Sequence, residues 1–157
     1  MPTPKLGILK EFDPKDKNPC QGCSYCCEYV ALEIDKPNTE KDFNFILWYV
    51  IHKDVWVYVD EEAEWYIQFN TPCDKLQDDR RCGYYPERPQ ICRDYEAVSC
   101  SRYGGDPEEK YMFKNEKDLY DYLAIKRPAI YKKMKKKLKP SYKPKKQILE
   151  YAGPERD

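Results

Sequence analysis

Apolar residues alternate with other residues in three short segments of the first half of the chain. Residues 29–34 (YVALEI) alternate and are β-branched near their ends, which predicts a strand. Residues 55–59 and 65–69 alternate as well, and the polar turn 60–64 separates them. These two segments predict a β-hairpin that leads the chain to Cys73.

A helical period is found between the first strand and the hairpin. Four apolar residues there recur at the spacing of one helix face, namely Phe43, Ile46, Leu47 and Val50. Thr39-x-x-Asp42 has the form of a capping box just before them. We therefore predict a helix that continues to about His52. Because the segment is apolar nearly all round, a strand is the alternative.

The last third of the chain also predicts helices. Asn115 can cap a helix with one apolar face made of Leu119, Tyr122 and Leu123. Pro128 ends this helix or starts the next one, since proline is tolerated in a first helical turn. A narrow apolar stripe follows within a lysine-rich segment and consists of Ile130, Met134 and Leu138.

A length of 157 residues suggests one domain with appendages, and 41% apolar against 36% charged residues allows only a small core. We expect an α+β fold, a small metal-stabilised domain with a β-hairpin, a loop-rich cysteine cluster and C-terminal helices. The predicted organisation is an N-terminal arm (1–19), a cysteine-cluster metal-binding domain (20–106), C-terminal helices (107–139) and a basic, polar tail (140–157). Loops and short turns are expected over 73–106.

Charge is distributed unevenly although the net charge is zero. Residues 126–146 contain eleven Lys or Arg and no acid, which leaves 17 basic against 28 acidic residues elsewhere. Such a segment either docks on the acidic body of its own chain or binds nucleic acid, an acidic protein or a membrane surface. Only Tyr131 and Tyr142 interleave with the lysines, which disfavours stacking on single strands.

The expected cellular compartment is inferred from two signals, a membrane span and a signal peptide, that the sequence does not show. The longest apolar run, Phe45–Ile51, has seven residues and is far too short for a membrane span, and no signal peptide is visible. We expect a cytoplasmic protein, where thiols stay reduced.

All eight cysteines lie between residues 20 and 100, and they are Cys20, Cys23, Cys26, Cys27, Cys73, Cys82, Cys92 and Cys100. Thiols this dense form disulfides or bind metal, and a reducing compartment favours metal. The run Cys20-x-x-Cys23-x-x-Cys26 is typical of iron–sulfur proteins, whereas zinc sites use separated CxxC pairs. One 4Fe-4S cluster, two zinc sites and a multinuclear centre all remain open. His52, the only histidine, is expected to be structural or exposed.

The cysteine spacing continues into a longer motif. After the CxxCxxCC run, residues 82–95 read CGYYPERPQICRDY, and Cys100 follows. Together these segments resemble the YkgJ family, the CxxCxxCC zinc- or iron-chelating domain, over residues 20–100. The resemblance implies a metal- or cluster-binding domain and leaves the basic segment outside it.

Four residues of this motif are candidates for a function next to the bound metal. Arg88 and Arg93 can offset thiolate charge and donate hydrogen bonds to sulfur, or they can pair with nearby acids at the surface. Tyr85 and Tyr95 can shield the centre from water or simply pack in a core.

No catalytic signature is found, so no catalytic residue is predicted. The expected function is metal binding: the eight cysteine thiolates hold a 4Fe-4S cluster or zinc, and the protein acts as a redox or cluster-handling accessory to an unidentified redox or protein partner. The alternative is a zinc-stabilised module that binds RNA or an acidic protein through residues 126–146.

Overall fold

The computed structural model describes residues 24–94, 109–148 and 150–151. These residues form two compact units. We call residues 24–29 and 71–94 the cysteine unit, and residues 30–70, 109–148 and 150–151 the sheet unit. The predicted hairpin and first helix therefore belong with the C-terminal helices in the sheet unit.

The sheet unit contains a four-stranded antiparallel sheet in the order β1-β3-β2-β4. The strands are β1 (Val30–Ile34), β2 (Val55–Asp60), β3 (Trp65–Phe69) and β4 (Glu109–Phe113). The predicted first strand and hairpin are confirmed, with Val57 opposite Ile67. The sequence did not predict β4, which pairs with β2 and places Phe113 opposite Val57.

Three helices of the sheet unit begin as their sequences predict. They are α1 (Glu40–Val50), α3 (Glu116–Lys126) and α4 (Pro128–Leu138). At α1 the capping box is formed: the Asp42 amide donates to Thr39 Oγ1 at 3.2 Å, and Asp42 Oδ2 accepts from the Thr39 amide at 2.8 Å. At α3 the Asp118 amide donates to Asn115 Oδ1 at 3.1 Å. Pro128 starts α4 rather than only ending α3.

The core packs one face of the sheet against these helices. Val57, Ile67 and Phe113 share that face by register, and Phe43 of α1 lies edge-on to Trp65 with ring centroids 5.9 Å apart. Apolar burial explains why the helices form here, since an isolated helix of 11 residues is marginal in water.

Part of the predicted tail packs on this core. Tyr142 and Ile148 are half-buried against it, and the Tyr151 amide donates to the Lys110 carbonyl at 2.7 Å. Among the described residues, no helix is long and apolar enough to cross a membrane.

The cysteine unit is built from short elements. It contains two 3-10 turns, Tyr25–Cys27 and Tyr85–Glu87, and the short helix α2 (Gln90–Arg93). The predicted loops and short turns are thus confirmed for residues 73–94, while residues 95–106 lie outside the described part.

Candidate metal centre

Five of the eight predicted ligands lie in the cysteine unit. Cys26 and Cys27 end the first 3-10 turn, Cys73 and Cys82 flank a tight hairpin-like loop, and Cys92 lies in α2. All five are thiols and none is part of a disulfide. The other three, Cys20, Cys23 and Cys100, lie outside the described residues, as does Tyr95.

A backbone hydrogen bond joins the first cysteine turn to Cys73. The Cys73 amide donates to the Cys27 carbonyl at 2.7 Å, although 46 residues separate the two in sequence. The Lys75 amide approaches Cys73 Sγ at 3.4 Å. Amide donors to sulfur stabilise a thiolate and tune a metal bound to it. This contact therefore makes Cys73 a suitable metal ligand.

The loop between Cys73 and Cys82 closes on itself. Leu76 and Cys82 form an isolated antiparallel bridge, and the Gly83 amide donates to the Lys75 carbonyl at 2.8 Å. Gly83 permits this approach, because a Cβ at that position would lie 3.2 Å from the Lys75 carbonyl oxygen. The hydrogen bond of Gly83 thus closes the loop directly after Cys82 and limits the positions that this cysteine can take.

Cys27 is the most clearly activated thiol of the unit. A hydrogen bond from the Cys26 side chain, helped to a smaller extent by the positive charge of Arg88, lowers the pKa of Cys27 to about 6. Desolvation and the carboxylate of Glu28 act in the opposite direction. Cys27 is therefore mostly thiolate at neutral pH, the form that binds metal.

Both arginines of the motif donate to main-chain carbonyls. Arg88 donates to the carbonyls of Tyr85 and Cys92, at 3.2 and 3.4 Å. Arg93 donates to the carbonyls of Pro86 and Arg88. The two guanidinium groups thus tie the loop that begins at Tyr85 to the helix that presents Cys92. Sequence reasoning placed these arginines beside the metal and missed their contacts with the backbone.

Tyr85 is on the surface and does not pack in a core. Its exposed fraction is 61%, and the Arg88 guanidinium lies 3.9 Å from the centre of its ring. The contact is a cation–π pair that orders Arg88.

The donor set fits a thiophilic metal. Within the described ranges, no three His, Cys, Asp or Glu side chains converge closely enough to hold an ion. Reduced thiols, one depressed thiol pKa and an amide donor to sulfur are nevertheless the surroundings that zinc and iron–sulfur centres require.

Comparison with known families agrees with this chemistry. Residues 19–137 match the family CxxCxxCC, described as "Putative zinc- or iron-chelating domain". The chain belongs to this family. The match extends well past Cys100, so our expectation that the basic segment lies outside the family is wrong for residues 126–137. No curated protein and no solved structure matches the chain.

This zinc- or iron-chelating family member has no apolar core among the described residues of its cysteine unit. Ser24 is the only buried residue among those described there. Tyr84, Tyr85 and Ile91 are exposed, Ile91 by 75%, whereas Leu76 and the Tyr25–Tyr29 ring pair are only half-buried. All described buried apolar residues belong to the sheet unit. Among residues 24–29 and 71–94, hydrophobic burial therefore contributes little to stability.

His52 does not belong to the centre. It is exposed in the sheet unit, where its Nδ1 lies 2.6 Å from the Trp48 carbonyl oxygen at the end of α1. The expectation of a structural or exposed histidine is confirmed.

Proposed function

We propose that the cysteine unit binds a 4Fe-4S cluster through its thiolates and serves as a redox or cluster-handling accessory. The observation that carries metal binding is a unit with five free cysteines and no buried apolar side chain among its described residues. The choice of an iron–sulfur cluster rests on the CxxCxxC spacing. Such a unit needs another source of folding free energy, and metal binding supplies it because the ligands are organised only in the folded state.

Ligands are drawn from the eight cysteines: Cys20, Cys23 and either Cys26 or Cys27 from the first cysteine run, and the fourth from the Cys73, Cys82, Cys92 and Cys100 group. The lowered pKa of Cys27 and the amide donor at Cys73 Sγ favour these two thiols within their groups. The hydrogen bond between Cys73 and the Cys27 carbonyl supports this division, because it holds the second group next to the first. A bound cluster supplies one-electron redox chemistry. The chain supplies thiolates, and its Arg88 guanidinium offsets part of their negative charge.

Zinc is the second candidate, and the missing core favours it. Small domains without a core are often held together by a structural zinc ion bound to four cysteines. In that case the unit is a structural or interaction module and its metal performs no redox chemistry.

Single substitutions test whether these thiols are ligands. We expect Cys27→Ser and Cys73→Ser, each purified without oxygen, to lose most of the metal that the parent protein retains. The control is His52→Gln, because this exposed side chain lies outside the cysteine unit. Full metal content in both cysteine variants would refute the ligand assignment. Loss of metal in the control would show that the assay reports general instability.

A further inference from the structure

A continuous basic surface is carried by α4 and the residues that follow it. Every lysine in residues 132–146 is exposed, and we call these lysines the basic face: Lys132, Lys133, Lys135, Lys136, Lys137, Lys139, Lys143, Lys145 and Lys146. No acid occurs anywhere in residues 122–149. This segment of the chain therefore contributes charge of one sign only.

The basic face is fixed to the folded sheet unit. Met134 on the opposite side of α4 is fully buried in the core, and Ile130 and Tyr131 pack against that core. After the helix, Tyr142 also packs there, and the Lys145 amide donates to Asp121 Oδ1 at 2.9 Å. The charges are thus displayed on an ordered scaffold, so that binding requires little ordering of the backbone.

Almost none of this charge is neutralised within the described part of the chain. Lys137 forms an ion pair with Glu40 at 2.7 Å, and it is the only cation of the basic face that does so there. Lys135 lies 5.6 Å from the ring centre of Tyr131. Within the described residues, the predicted docking of this segment on its own acidic body therefore involves two acids, Glu40 through the Lys137 side chain and Asp121 through the Lys145 amide, and only Lys137 is neutralised.

We infer that the basic face binds the phosphate backbone of double-stranded nucleic acid. Lysines act as point charges that displace condensed counterions from a regular array of phosphates. Protein interfaces, by contrast, are depleted of lysine and centre on aromatic or arginine anchors, and the only large apolar side chain exposed on α4 is Leu138, at 46%.

Two other anionic partners fit less well. Stacking on single strands needs exposed aromatic rings, yet Tyr131 and Tyr142 are half-buried with their hydroxyl groups enclosed. Insertion into a membrane needs a free apolar helix face, yet the stripe of α4 is occupied by the core through Met134. A duplex needs neither feature.

The expected salt dependence follows from the number of lysines that reach phosphates. With roughly five contacts, log K falls against log salt with a slope of about −4.5. Affinity then drops by about 500-fold between 50 and 200 mM salt. This binding is independent of sequence.

The test measures binding of metal-loaded protein to labelled DNA and RNA duplexes of the same sequence by fluorescence anisotropy, at several salt concentrations. Lys132→Gln/Lys136→Gln removes two charges one helical turn apart, and the slope should become less steep by about 2. The drop in affinity over the same salt range then shrinks to about 40-fold. Lys36→Gln/Lys53→Gln removes the same charge from exposed positions elsewhere in the sheet unit and should leave the slope unchanged.

Binding of either duplex with these slopes supports the proposal, and a difference between DNA and RNA identifies the preferred helix. The proposal is overturned if neither duplex binds at low salt, or if the control variant reduces the slope as much as the α4 variant. Polyglutamate and phosphatidylserine vesicles are run in parallel. Binding to either of them that equals or exceeds duplex binding would also overturn it.

Discussion

Removal of the metal should unfold the cysteine unit and leave the sheet unit folded. The perturbation is a chelator added to the metal-loaded protein. Structural zinc contributes about 10–16 kcal/mol to small metal-bound peptides at neutral pH. The described part of the cysteine unit has no buried apolar side chain to offset a loss of that size. In the sheet unit, by contrast, Phe43, Leu119, Leu123 and Met134 are completely buried.

The assay is amide hydrogen exchange followed by NMR. Protection in the cysteine unit depends on a few backbone hydrogen bonds, and the reporting amides are those of Cys73, Leu76, Gly83, Cys92 and Asp94. All three tryptophans, at positions 48, 56 and 65, belong to the sheet unit, so their fluorescence reports on that unit alone.

We expect the chelator to abolish protection at the five reporting amides while tryptophan fluorescence and the exchange of sheet amides stay the same. If hydrogen exchange at those amides stays the same although metal analysis verifies that the metal is lost, the reasoning that bound metal stabilises this unit in place of an apolar core is refuted. Simultaneous loss of both units would refute their independence.

Three further outcomes are expected. Phe43→Ala should lower the free energy of unfolding in urea by about 3–5 kcal/mol, because this ring is fully buried, whereas Phe45→Ala, at a position 49% exposed, should lower it by only about 1 kcal/mol. Burial raises the pKa of Tyr142 above its ordinary value of 10.0. The neutral phenol therefore contributes its full stability below pH 10, and this contribution is lost as the pH rises towards the folded-state pKa. In Tyr142→Phe, the free energy of unfolding should fall less steeply at alkaline pH. Gly83→Ala should lower metal retention measured by dialysis against chelator, because the new Cβ would lie 3.0 Å from Gln77 Nε2 and 3.2 Å from the Lys75 carbonyl oxygen and would push both slightly away. Equal retention would contradict the role given to this loop.

Local signals predicted much of the sheet unit. The capping box at Thr39 and Asp42, the hairpin alternation and the position of Pro128 each depend on neighbours in sequence, and all three were correct. Strand β4 was missed because Glu109 and Lys110 occupy its first two positions, so that no apolar alternation marks its start.

The features that the sequence did not predict depend on contacts between residues far apart in the chain. Pro140 and Pro144 make the end of the chain look like a tail, yet Tyr142 between them packs on the core, which periodicity cannot reveal. The motif identified the family, and the grouping of its eight cysteines around a metal stays a prediction. It gave no indication that Cys73 hydrogen-bonds to the Cys27 carbonyl, because this contact depends on the fold between them.

The most direct test counts iron, zinc and acid-labile sulfide per chain in protein purified without oxygen. The proposal predicts iron with an equal amount of sulfide, as a 4Fe-4S cluster requires. Zinc without sulfide would contradict the iron–sulfur assignment and leave a structural metal in the cysteine unit. Protein that contains neither metal, and takes up neither on reconstitution, would contradict the claim that these thiolates form a metal centre.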